Sequence, residues 1–280
     1  MWSFAASAAA AVGYPTQIEP RWIDRTFTRI RLDAPGRFAC RILHLSDLHA
    51  SWAVPLPMID EAIRIGLAAN PDIVCLTGDF ITTRYDFDVR SYARTLRELS
   101  KARPTFAVLG NHDGGVWAKA RRGDASHATV SRMIENAGIT LLHNRSQQVQ
   151  TKQGRLTLVG VGDLWSGEID ADRAFHSVRP DNPVVLLSHN PDSKDVLSRA
   201  HWDLMLCGHT HGGQVIIPFE GPRYAPVQDK RFVAGLHRWG SRQIYTTRGV
   251  GNLWSVRFMC RPEVSVLDME CAGRGPSSHV

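Results

Sequence analysis

Eight residues of this chain have types and spacings that could do chemistry together: Asp47, His49, Asp79, Asn111, His112, His189, His209 and His211. They are carboxylates, imidazoles and one amide, with no thiolate among them. Such donors suit Mn²⁺, Fe²⁺ or Zn²⁺. Asp47 and His49 are two residues apart, so in an extended segment their side chains point the same way and reach one point. His209 and His211 repeat the spacing, beside Gly208, Gly212 and Gly213. Seven of the eight are too many for one tetrahedral zinc. They suit two metals about 3.5–4 Å apart that share a carboxylate.

Taken singly, each block has an ordinary explanation. Gly78-Asp79 alone is usually a turn, and Gly110-Asn-His-Asp113 alone fits an Asx-type turn. A lone histidine such as His189 is more often structural than a ligand. Their joint placement is what counts, because every block closes an apolar run that reads as a strand: 38–45, 73–77, 105–109, 184–187 and 203–207. Ligand sites form at the carboxyl ends of strands in open α/β folds.

The elements between these runs follow from periodicity. Ile59, Ala62, Ile63 and Leu67 predict a helix over 58–69, stopped by Asn70-Pro71. Val89, Tyr92, Leu96 and Leu99 predict another over 88–101. The order β-α-β-α-β favours parallel strands with helices on the sheet faces. Residues 15–35 read as an extended lead-in, with 26–32 alternating as an exposed strand would. A polar, Gly-containing segment covers 114–126, then a helix near 127–137 and a strand at 139–142. The second half is richer in strands, at 155–161, 184–187, 203–207, 243–247 and 263–269. The class is α/β, and the two halves suggest a pseudo-duplicated two-sheet arrangement.

At 280 residues with 43% apolar and 21% charged content, the chain has ample material for a core and is not a disordered polymer. The net charge of +6 suits an anionic substrate or an acidic membrane surface, and equally a merely basic soluble protein. Scattered arginines without a dense basic run argue against a nucleic-acid partner. The five cysteines show no Cys-x-x-Cys spacing and read as reduced core thiols, which suggests a reducing compartment. Residues 1–14 are apolar but too short to span a bilayer. They fit a signal-peptide core, the remnant of an anchor, or an Ala-rich helix. They leave the location open between the cytoplasm, the inner-membrane periphery and export.

Together the blocks Asp47-Leu-His49, Gly78-Asp79, Gly110-Asn-His-Asp113, Ser188-His189 and Gly208-His-Thr-His211 resemble the five signature blocks of the calcineurin-like metallophosphoesterase superfamily. The extension to Gln214, with Arg248-Gly-Val-Gly251 and Arg257-Phe-Met-Cys-Arg-Pro-Glu263, is similar to one subgroup. That subgroup includes a bacterial exported phosphoesterase and a hydrolase of UDP-2,3-diacylglucosamine in lipid A synthesis. The resemblance implies a four-layer α/β/β/α sandwich of two mixed sheets flanked by helices over 36–272, between a lead-in at 1–35 and a tail at 273–280. It implies two divalent metal ions. Asp47, His49 and His211 would hold the first, Asn111, His189 and His209 the second, and Asp79 would bridge them. His112 would act as general acid or electrostatic stabiliser over the substrate phosphate, with Asp113 steadying its ring. The implied activity is hydrolysis of a phosphate ester or pyrophosphate bond by a hydroxide shared between the metals. A binding module on the same fold would be expected to lose several of these residues, and all are present.

The expected partner is an anionic, phosphorylated small molecule or a lipid-linked substrate. Arg84 and Tyr85, shortly after Asp79, and Trp117, shortly after His112, are candidate substrate contacts. The stretch 218–239 is basic and aromatic and could touch a membrane or hold a lipid chain. A surface loop with scattered aromatics is the favoured reading there.

Overall fold

The computed structural model describes residues 13–34, 38–83, 87–222 and 225–271. Its first sheet contains β1 (Asp24–Leu32), β2 (Phe38–Leu45), β3 (Ile73–Thr77), β4 (Thr105–Val108), β5 (Thr140–Leu141) and β14 (Glu263–Cys271), in the order β1-β14-β2-β3-β4-β5. The second contains β6 (Arg145–Thr151), β7 (Gly154–Gly160), β8 (Val184–Leu187), β9 (Leu204–Cys207), β12 (Gly235–Trp239) and β13 (Arg242–Thr246), in the order β12-β13-β9-β8-β7-β6. A small hairpin joins β10 (Ile216–Ile217) to β11 (Gly221–Pro222). β2 through β5 run parallel, as do β7, β8, β9 and β13. Antiparallel partners are added by β14 against β2, and at the edges by β6 and β12.

Alternation along the strands builds the layers. Ile42, Cys75, Phe106 and Val108 of the first sheet meet Leu158, Val185, Leu187 and Leu206 of the second in one buried cluster. Their neighbours Leu43, Val74, Leu76 and Ala107 face the other way. They pack with side chains of α1 (Leu56–Leu67), α2 (Val89–Ala102) and α4 (Ala128–Asn136). Behind the second sheet, Val184, Leu186, Met205 and Ile244 pack on Ala174 of α5 (Ala171–Phe175), on Leu197 just after α6 (Ser193–Val196), and on Trp202. The result is the α/β/β/α sandwich. Strands covered on both faces read as continuous apolar runs, which is why they were visible in the sequence.

Differences from expectation are local. Residues Tyr14–Ile18 and Glu19–Arg21 form short helical turns rather than extended chain, each with a proline in its first turn, where the missing N–H costs nothing. Within the segment read as polar loop lies α3 (Gly115–Ala120), too short for periodicity to reveal. The 218–239 stretch contributes β11 and β12 instead of running as plain loop. All five cysteines are buried and free, as core thiols should be. Residues 1–12 lie outside the described residues. Among those described, no helix is long and apolar enough to cross a membrane.

Gly66 shows how tightly α1 sits on the sheet. A Cβ there would come within 2.6 Å of Leu43 Cδ1, and Leu43 is fully buried. Replacing a helical glycine by alanine ordinarily stabilises by up to about 1 kcal/mol. Here Gly66→Val should instead destabilise by about 1–3 kcal/mol through overpacking. Urea unfolding would check the sign, and an unchanged or raised midpoint would show that α1 can shift outward.

Candidate metal centre

Each strand that carries a candidate ligand ends at one edge of the sandwich, and the backbone then turns sharply. Asp47, His49, Asp79, His209 and His211 all have positive φ, between 46° and 70°. Non-glycine residues pay for that conformation with strain on the order of 1 kcal/mol or more. Five such residues together mark a place where side-chain direction outranks backbone comfort. Two glycines permit the crowding. A Cβ on Gly110 would overlap Asp79 Oδ1, and one on Gly208 would overlap Asp47 Oδ2.

The donors converge. Asp79 Oδ2 lies 3.4 Å from His49 Nε2 and 3.2 Å from His189 Nε2, so one carboxylate oxygen faces both halves of the cluster. On one side, His49 Nε2 and His211 Nε2 stand 3.1 Å apart, with Asp47 Oδ1 3.5 Å from His211. On the other, His189 Nε2 and His209 Nδ1 are 3.1 Å apart. Two groups follow, Asp47–His49–His211 and Asp79–His189–His209, each compact enough to hold a metal ion. His189 gives its Nδ1–H to the Thr77 carbonyl at 2.7 Å, which turns Nε2 towards the cluster.

The donor set fits cations on further grounds. Asn111 is 1% exposed, and among the described residues its Oδ1 finds no hydrogen-bond donor; His209 Nε2 and His211 Nδ1 are likewise buried without partners there. Leaving such a group unpaired costs about 1–3 kcal/mol. Protonation tells the same story. Burial drives His49 down to about 3 and holds His209 and His211 well below the ordinary imidazole value, so all three keep lone pairs. Burial also opposes a charge on His189, but the carboxylates of Asp79, Asp47 and Asp163 outweigh it and raise that imidazole to about 10. Asp47 is pushed up to about 6 by burial, with Asp79 adding and His189 opposing. Two buried carboxylates so close call for positive charge between them.

His112 and Asp113 differ from expectation in one respect. The Asp113 carboxylate does not meet the His112 ring. Its Oδ1 accepts the N–H of Phe80 at 2.7 Å, and its Oδ2 accepts the N–H of Gly110 at 2.9 Å. Asp113 therefore ties the Asp79 loop to the Asn111 loop, because it is buried where backbone donors are concentrated. Thr83 steadies the ring instead: its backbone N–H donates to His112 Nδ1 at 3.2 Å, and its hydroxyl lies 2.7 Å away. An Nδ1 that accepts leaves the proton of the neutral ring on Nε2. The His112 ring stands 4.8 Å from that of His49 and 4.7 Å from Trp117.

A cavity of about 700 Å³ opens over the ligands, with Asp79, Asn111, His112, His209 and His211 in its wall. Trp117 lines it, as expected; Arg84 and Tyr85 lie outside the described residues. Two arginines had no role in the sequence reading, although Arg257 stands in the quoted subgroup block. Arg121 lines the cavity and stacks over Trp117 at 3.8 Å, an i, i+4 pairing that only a helix at 115–120 could have disclosed. Arg257 is fully buried. Its guanidinium donates to the carbonyls of Arg248, Gly249, Gly251 and Cys260, and to that of His211 at 3.4 Å. The loop it gathers also holds Asp47, whose carbonyl accepts the Gly251 N–H at 2.6 Å.

Comparison with known proteins decides the family, because residues 40–213 match the Calcineurin-like phosphoesterase family. The chain belongs to the calcineurin-like phosphoesterases. It is 40% identical over 263 residues to Phosphodiesterase YaeI of Escherichia coli, covering 94% of each chain. It is 28% identical to the metallophosphoesterase YkuE of Bacillus subtilis, covering 95% of this chain and 92% of that one. Its identity to the UDP-2,3-diacylglucosamine pyrophosphatase LpxG of Chlamydia trachomatis is 26%, over 86% of this chain and 88% of that one. The matched span of this calcineurin-like phosphoesterase contains every residue of the converged cluster, from Asp47 to His211.

Arg257 generates a direct test. Arg257→Met removes the donors from several buried carbonyls and should cost at least about 3 kcal/mol of stability. Denaturant unfolding would report it. A loss below about 0.5 kcal/mol, the level of an ordinary surface substitution, would mean that the loop closes without this residue.

Proposed function

We propose that this chain is a dinuclear metal-dependent phosphoesterase acting on a phosphodiester with an apolar substituent. The observation that carries the reading is the single Asp79 oxygen within 3.4 Å of both His49 and His189, between two three-residue donor groups. In this reading Asp47, His49 and His211 would hold one cation, Asn111, His189 and His209 the other, and Asp79 both. Two divalent cations supply Lewis acidity to a phosphoryl oxygen and acidify water. The chain supplies the rest. His112, with its proton on Nε2, offers hydrogen-bond donation or a proton to a leaving oxygen. Thr83 keeps that tautomer. Arg121, held by Trp117, places a fixed positive charge in the cavity wall for an anionic substrate.

The diester reading is favoured by the 40% identity to a protein named a phosphodiesterase. The apolar substituent is favoured by the walls of the cavity, which include Trp117, Trp165, Val215, Leu253, Trp254 and Val256. Trp254 at the rim is 79% exposed and Trp52 nearby is 77% exposed, surfaces that a lipid chain or a membrane would cover. A nucleotide-lipid pyrophosphatase is the second reading. The same walls favour it, together with the more distant likeness to LpxG.

The chain reconstituted with Mn²⁺ should hydrolyse bis-p-nitrophenyl phosphate. Asp79→Asn should abolish this and lose bound Mn²⁺. His112→Ala should keep the bound metal and lose about 10²–10⁴-fold in turnover. Loss of metal in His112→Ala would instead make that residue a ligand. No turnover with Mn²⁺, Fe²⁺ or Zn²⁺ would reject the enzyme in favour of a binding module. Hydrolysis of UDP-2,3-diacylglucosamine but not of the simple diester would select the second reading.

A further inference from the structure

A second set of metal-ligand side chains lies behind the cavity wall and takes no part in the centre described above. It consists of His127, the residue that caps α4, His143 in the turn between β5 and β6, and Glu168 in the loop before α5. Their ligand atoms all lie within 4.8 Å of one another. His127 Nε2 is 4.0 Å from Glu168 Oε1, and the two imidazole rings are centred 5.0 Å apart.

We propose that His127, His143 and Glu168 bind a third divalent transition-metal ion, of the Zn²⁺ class, in a structural site separate from the Asp79 centre. Two imidazoles and one carboxylate are a donor set that zinc takes, with a remaining position for water. At zinc–ligand distances near 2.1 Å, tetrahedral donors stand about 3.4 Å apart, so modest side-chain rotations would close the set. His143 Nδ1 is buried and has no hydrogen-bond partner among the described residues. Burial and the neighbouring His127 also hold that ring below the ordinary imidazole value, which keeps it neutral and able to ligate. The site is reachable, since the side chains of His127 and Glu168 keep 34% and 23% of their accessibility.

The surroundings are shaped around these residues. Gly114, at φ 142°, lets the chain entering α3 press on the backbone of His127, where a Cβ would come within 2.5 Å of its nitrogen. A Cβ on Gly115 would come within 2.8 Å of Glu168 Oε1. Asn144, next to His143, donates to the Glu168 carbonyl at 2.7 Å. Three sequence-distant segments therefore meet here. Two adjoin the cavity wall, through Trp117 on α3 and through Trp165, whose ring lies 4.2 Å from that of His209. A cation would clip these segments together.

The test is a Zn²⁺ titration of the chelator-stripped full chain, with bound metal counted by elemental mass spectrometry. The wild type should bind one more Zn²⁺ per chain than either His143→Ala or Glu168→Gln. Both variants should keep the Zn²⁺ that Asp79→Asn loses. Glu168→Gln preserves shape, so it decides the matter if His143→Ala fails to fold. Equal Zn²⁺ content in the wild type and Glu168→Gln would overturn the proposal and leave the three residues as a packing cluster without a metal.

Discussion

Two carboxylates that would repel each other, Asp47 and Asp79, are held buried at one edge of the sandwich, and much of the structure serves that placement. Burial alone would neutralise them. Imidazoles bring charge or lone pairs to within about a hydrogen-bond length, and the carboxylates around His189, Asp79 foremost at 3.2 Å, favour the charged form of that ring. Divalent cations held there would meet the same demand for positive charge more completely. In the proposed reading, coordination and phosphoester chemistry both grow from one electrostatic constraint.

Holding such groups together is costly, and the expense is visible in the backbone. Five candidate ligands sit at positive φ. The sandwich can bear this because the buried clusters on the faces of its two sheets fix the strand ends. Asp113 and Arg257 then finish the positioning from opposite directions. One is a buried carboxylate that collects backbone N–H groups. The other is a buried guanidinium that collects backbone carbonyls. Neither needs to touch substrate to matter, because a ligand displaced by an ångström no longer coordinates.

The parallel strands and their polar ends were legible in the sequence because doubly covered strands are continuous apolar runs and the ligands stand at their ends. Thus Asp47, Asp79 and His189 could be placed together before any coordinates. What stayed hidden depends on contacts between distant segments or on elements too short for a period. The six-residue α3 carries Trp117 and delivers Arg121 to the cavity, yet has fewer than two turns to show a stripe. The family resemblance implied that Asp113 steadies the His112 ring, whereas Asp113 accepts backbone N–H groups and Thr83 meets the ring, a contact between distant loops that no local spacing discloses. His127, His143 and Glu168 share no local spacing, so only the packing of the second sheet's edge brings them together.

Diffraction from Mn²⁺-loaded crystals, with anomalous scattering collected at the manganese edge, tests the central claim most directly. Two manganese peaks about 3.5–4 Å apart, with Asp79 coordinating both, are the predicted result. A single peak, or two peaks of which only one contacts Asp79, would contradict a shared carboxylate as the constraint around which this fold is built.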